Sequence, residues 1–142
     1  MTSIKAKAAC LLGSGLLANG SAMLIAPELW FRHVPTVSLT GPLNAHLVRD
    51  VGSAYLVSGL AFMQASLKPQ IGLRTMAWPS AFLVLHALIH LYEVATNMCG
   101  WQTWLESAPG VTAPALLAAW ITWSKTNDSA LGGHSATQRQ GA

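Results

Sequence analysis

Charged residues are scarce in this chain. Asp, Glu, Lys and Arg make up 9% of its 142 residues, whereas a soluble domain carries about 25%. Hydrophobic residues reach 52%. So little charge does not cover the surface of a soluble domain of this size, but in a lipid bilayer the outer surface is apolar and needs none. The composition therefore predicts an integral membrane protein.

Cysteine is also rare, and the basic residues are not clustered. Cys10 and Cys99 form no CxxC pair and no cysteine-based zinc motif. The predicted topology places these two cysteines near opposite membrane faces, so no disulfide between them is expected. The eight Lys and Arg form no basic stripe. The net charge of +3 therefore does not indicate nucleic-acid binding, and the positions of the basic residues are better explained as markers of membrane topology.

Four segments have the apolar character of transmembrane helices, which need about 20 mostly apolar residues. They cover residues 8–26, 43–67, 75–96 and about 111–124, the last being the shortest. The predicted fold is all-α, an integral membrane antiparallel four-helix bundle within a domain of residues 1–125. Residues 126–142 are rich in Ser, Gly and Gln and are predicted to form a disordered cytoplasmic tail.

The basic residues near the span ends indicate an orientation. Lys5 and Lys7 precede the first span, Lys68 and Arg74 flank the link between the second and third, and Lys125 follows the fourth. Cytoplasmic loops carry an excess of Lys and Arg. Both termini are therefore predicted to be cytoplasmic, in a multi-pass protein of the bacterial inner membrane.

The first span has small residues at every fourth position: Ser14, Ala18, Ala22 and Ala26. This spacing places them on one helix face, and small residues let helices approach closely in lipid. The stripe predicts helix packing, either within the bundle or between copies. The expected partners are therefore the lipid bilayer and a second copy or a larger membrane complex.

Ionisable residues inside the spans occur in two stripes. In the third span His86, His90 and Glu93 follow a helical spacing of four and then three, and Asn97 is predicted to continue their face. In the second span His46 and Asp50 share a face at the outer end. Arg49, Ser53 and Tyr55 accompany that second group.

Both stripes are predicted to lie at one depth on neighbouring antiparallel helices. An ionisable side chain in hydrocarbon costs about 2.5–3.5 kcal/mol on insertion scales and marks a functional site by default. Imidazole and carboxylate groups together suit a transition metal such as zinc, copper or iron. The sequence thus predicts an outward-facing metal site, for catalysis or metal handling. Its predicted ligands are His46, Asp50, His86, His90 and Glu93, supported by Arg49, Ser53, Tyr55 and Asn97.

Three other functions fit the same residues. In a non-enzymatic accessory subunit, Arg49 pairs with Glu93 or Asp50 and the polar network only joins helices two and three. In a b-type haem protein, His46 and either His86 or His90 hold the iron. A proton relay is disfavoured because the inner half of every span lacks ionisable residues. Whether the protein is an enzyme stays open.

A motif-like segment, Asn44–Gly52, opens the second span. The chain length, the four spans and the glycine-containing second span resemble the DoxX-like group of small bacterial membrane proteins. The resemblance implies a small four-helix membrane protein. It implies no activity and assigns no role to a residue.

Overall fold

The computed structural model describes residues 1–68, 70 and 72–124. These residues form six α-helices and one short 3-10 helix, without a β-strand, so the predicted all-α class is confirmed. Lys125 and the predicted tail at 126–142 lie outside the described residues. The helices are α1 (Ser3–Ile25), α2 (Pro27–His33), α3 (Ala45–Leu67), α4 (Gly72–Ala95), α5 (Trp101–Ser107) and α6 (Thr112–Trp123), with the 3-10 helix at Val37–Thr40.

The predicted spans match α1, α3, α4 and α6, but the helices begin and end at different residues. Helix α1 begins five residues before residue 8 because the Thr2 side chain accepts a hydrogen bond from the Lys5 amide (3.4 Å). Helix α3 begins at Ala45 rather than 43, because Asn44 Oδ1 accepts from the Leu47 amide (3.1 Å). An apolar run shows which part of a helix suits an apolar environment, whereas the polar capping residue decides where the helix starts.

The four longer helices contact one another in neighbouring pairs. Helix α1 contacts α3 and α6, and α4 contacts the same two helices. Helices α1 and α3 are antiparallel, since Gly13 lies against Gly59 and Gly20 against Gly52. The core between the four helices contains Leu12, Leu16, Met23, Tyr55, Phe62, Met76, Leu83, Ala115, Ala118 and Ile121.

Four glycines allow the backbones of α1 and α3 to touch. A Cβ atom built on Gly20 meets the Gly52 carbonyl oxygen at 2.7 Å, and one on Gly59 meets the Leu17 amide nitrogen at 2.8 Å. Real Cβ atoms do not approach backbone so closely, so a larger residue has to push the helices apart. The predicted small-residue stripe does not make this contact, because Ser14, Ala18 and Ala22 are exposed on another face of α1.

Polar contacts join α6 to both of its neighbours, α1 and α4. The Lys5 ammonium donates to the Ser124 carbonyl (2.6 Å) and lies 5.8 Å from the Trp120 ring centroid. This places a cation at the carboxyl end of α6, where the helix dipole favours it. On the other side, the Ser80 and Thr122 hydroxyls are hydrogen-bonded at 2.7 Å and join α4 to α6.

Among the described residues, two helical segments are long and apolar enough to cross a membrane: Ser3–Ile25 and Arg74–Ala95. Only 33% and 17% of the residues in their apolar windows are buried within the protein. Helix α6 is apolar but has 12 residues. The apolar faces of these helices therefore lie mostly on the outside of the protein.

Candidate functional site

The polar stripe of α4 is continuous along one side of the helix. The ring centroids of His86 and His90 lie 5.0 Å apart, and His90 Nδ1 lies 3.9 Å from Glu93 Oε2. The side chains of His90 and Glu93 are 26% and 28% exposed. Helical spacing thus brings His86, His90 and Glu93 together, as the sequence predicts.

The chain reverses direction just after α4 and brings Cys99 back to this stripe. Asn97 has a left-handed backbone (φ 57°), a conformation that asparagine tolerates better than most residues. The amides of Met98 and Cys99 both donate to the Glu93 carbonyl, at 2.8 and 3.2 Å. The turn places Cys99 Sγ 3.9 Å from Glu93 Oε2.

Asn97 itself departs from the sequence prediction. The helical spacing predicts that it extends the polar face of the helix, but α4 ends at Ala95 and Asn97 is exposed in the turn. Conversely, Cys99 was not predicted as a site residue. One sequence feature indicates that Cys99 lies near Glu93. Asn97 favours the end of a helix, and a turn at that point returns the following side chains to the helix end.

A cavity of about 20 Å³ lies at this end of the protein, beneath α5. That volume holds about one water molecule. Helix α4 contacts α5, which forms one wall. The cavity is lined by Thr36, His90, Glu93, Val94, Cys99, Thr103, Trp104 and Ser107.

The predicted ligands on α3 form a separate pair. His46 Nε2 lies 3.4 Å from Asp50 Oδ2, but their side chains are 88% and 62% exposed. Neither residue lines the cavity next to α4. Across the part of the chain that the structure describes, no group of three or more His, Cys, Asp or Glu side chains is placed so that it could hold a metal ion. The structure therefore does not bring the five predicted ligands together in one site.

The residues expected to support the α3 ligands make other contacts. Arg49 Nε donates to the Leu24 carbonyl of α1 (3.3 Å), and within the described chain Arg49 forms no ion pair with Glu93 or Asp50. The Ser53 hydroxyl donates to the Arg49 carbonyl (3.0 Å). The pairing of Arg49 with a carboxylate, expected for a purely structural network, is thus wrong.

Tyr55 connects α3 to the polar stripe of α4 by ring packing. It is buried, and its ring centroid lies 5.7 Å from that of Phe82 and 6.0 Å from that of His86, both at near-perpendicular angles. The Phe82 and His86 rings stack at 6.1 Å. His86 is therefore held between aromatic rings and His90, deeper than the cavity.

No protein-family model, curated protein sequence or solved structure matches this chain. The DoxX-like resemblance therefore stays a matter of layout. Any function has to be argued from the geometry of the α4 stripe, Cys99 and the cavity.

Proposed function

We propose that this chain is a multi-pass membrane protein in which α1, α3, α4 and α6 cross the bilayer as an antiparallel four-helix bundle. The supporting observation is that large apolar side chains are exposed on all four helices, among them Leu11, Leu60, Ile89 and Leu116. Extended apolar surface of this kind is unfavourable in water and favourable against lipid. Helix α3 has 23 residues and therefore spans roughly 35 Å, enough for a hydrocarbon core of about 30 Å.

The orientation in this proposal follows from charge. Lys5, Lys7, Lys68 and Arg74 lie at the end where α1 and α4 begin, and Arg32 and Arg49 lie at the other. Because basic residues are retained on the cytoplasmic side, the described amino terminus is cytoplasmic and the cavity faces outward. The inner membrane of a bacterium is the expected location.

The proposed biochemical role is binding of a transition metal ion at the α5 end. The observation that supports it is the ion-sized cavity lined by His90 and Glu93, with His86 one helical turn away. His46 and Asp50 are left out of this role, because their side chains are exposed on α3 and do not line the cavity. Metal handling and metal-assisted catalysis both use such a site.

The test is elemental analysis of protein purified in detergent without a histidine tag, before and after incubation with Zn²⁺. About one metal ion per chain is expected in the native protein and in His46→Ala, because His46 lies outside the cavity. His90→Ala is expected to lose the metal. Absence of metal after incubation, or equal loss in both variants, contradicts the proposal.

A second candidate is a non-enzymatic accessory subunit whose polar residues only join helices. The hydrogen bond from Arg49 to the Leu24 carbonyl favours it, since this contact holds α3 against α1 without any ligand. In that case the protein carries no metal, and Zn²⁺ leaves its unfolding temperature unchanged. A b-type haem has no comparable support, because His46, which each predicted axial pair requires, is 88% exposed.

A further inference from the structure

We propose that Cys99 is a ligand of this site, and that His90, Glu93 and Cys99 together bind a Zn²⁺-class ion. This inference rests on the proposed metal-binding function and specifies its ligands and its ion. The three side chains come from two segments, the end of α4 and the turn after it, and all three line the same cavity. Glu93 Oε2 lies 3.9 Å from both His90 Nδ1 and Cys99 Sγ.

As they stand in the structure, these three side chains are not placed to hold a metal ion, so the proposed site requires them to move closer together. Zinc–ligand distances of about 2.0 Å to nitrogen and oxygen and 2.3 Å to sulfur imply ligand–ligand separations of roughly 3.3–3.5 Å. The two observed distances of 3.9 Å exceed them by about half an ångström. Small rotations of exposed or half-buried side chains supply such a contraction without moving the backbone, since rotamer adjustments at binding sites are common.

The turn fixes Cys99 beside Glu93 independently of any ion. The Met98 and Cys99 amides both donate to the Glu93 carbonyl, so the backbone of the cysteine is tied to the residue whose carboxylate it approaches. A ligand held in place before binding loses less conformational entropy when the ion arrives. The site therefore resembles a partly preorganised one rather than a chance approach of two mobile side chains.

The donor set selects the class of ion. Thiolate, imidazole and carboxylate together suit Zn²⁺, whereas Mg²⁺ and Ca²⁺ take oxygen ligands. Three protein ligands leave a fourth tetrahedral position open, as in catalytic zinc sites. The hydroxyl-bearing Thr103 and Ser107 line the same cavity.

The chain provides a matched control for the cysteine. Cys10 is free and exposed on α1, outside the cavity lining, and Cys99 is free and half-buried. Protein purified without a tag is loaded with Co²⁺, and absorption of the thiolate-to-cobalt charge-transfer band is recorded. The band is expected in the native chain and in Cys10→Ser, and is expected to be lost in Cys99→Ser, with Zn²⁺ affinity reduced at least about tenfold.

The outcomes separate the two proposals. If Cys99→Ser binds Zn²⁺ as tightly as the native chain and the native chain shows no thiolate band, the role of Cys99 is wrong while the metal function stands. If the native chain binds neither ion, both fail. Should Cys99→Ser not fold, alkylation of the native chain decides instead: Zn²⁺ is expected to slow modification of Cys99 but not of Cys10, and equal rates overturn the inference.

Discussion

Lys5 and Lys7 are two residues apart on α1 but have opposite surroundings. Lys5 is 6% exposed and donates to the Ser124 carbonyl, while Lys7 is exposed. A hydrogen bond from a charged group contributes about 1.5–3 kcal/mol. Lys5→Met is therefore expected to lower the free energy of unfolding by about that amount, and Lys7→Met to change it little. Denaturant unfolding in one detergent compares them, and equal effects contradict the assigned role of Lys5.

Asn19 is a polar residue in the middle of α1 with a specific partner. Its Oδ1 accepts a hydrogen bond from Trp30 Nε1 at 2.9 Å, which ties the short helix α2 to α1. A double-mutant cycle with Asn19→Leu and Trp30→Phe is expected to give a coupling free energy of about 0.5–1.5 kcal/mol. Strict additivity of the two substitutions contradicts this contact.

At the scale of single residues, the proposed metal site is tested by comparing His46 with His90. Both are histidines near the same end of neighbouring helices, but their side chains are 88% and 26% exposed. The difference in exposure is the reason for expecting metal loss from His90→Ala alone. Residue type and position near the same end of the bundle do not distinguish them.

At the scale of the element, the contact between α1 and α3 depends on glycine. A Cβ atom on Gly20 meets backbone at 2.7 Å, whereas one on Gly15 has no neighbour within 4 Å. Gly20→Ala is expected to destabilise the protein by about 1–3 kcal/mol through overpacking. Gly15→Ala serves as the control and is expected to be neutral or stabilising by up to about 1 kcal/mol, because alanine favours helix.

The comparison of these two alanine variants is made by thermal unfolding in a single detergent. An equal response of Gly15→Ala and Gly20→Ala shows that the helices do not pack at backbone contact.

The glycines of α3 also determine how that helix is rotated against α1. Gly52 and Gly59 face α1, which leaves the face that carries His46 and Asp50 directed outward.

For the whole molecule, the proposed topology places the two ends of the bundle on different sides of the membrane. His46 lies near the start of α3 and Lys68 directly follows its end, and both are exposed. In a chain without native cysteines, His46→Cys is expected to react with a membrane-impermeant thiol reagent in intact cells. Lys68→Cys is expected to react only after permeabilisation. The reverse pattern contradicts the orientation, and equal labelling in intact cells contradicts the membrane crossing itself.

Several features of this protein follow from the sequence alone. The four apolar segments predict four longer helices, because an apolar segment that crosses lipid has to satisfy its backbone hydrogen bonds internally. The stripe of His86, His90 and Glu93 also follows directly, since the helical period places residues four and three apart on one face. Both are local consequences of chain geometry, so no knowledge of packing is needed to predict them.

Only the tertiary structure decided which residues meet across elements. Asp50 and Gly52 are two residues apart and therefore point about 200° apart around α3. Backbone contact holds Gly52 against α1, whereas Asp50 and His46 lie on an exposed side of α3 and do not join the stripe of α4. Cys99 joins it because the left-handed turn at Asn97 returns the chain to Glu93. Helix rotation and chain reversal depend on the packing of distant residues, which a periodic sequence pattern does not contain.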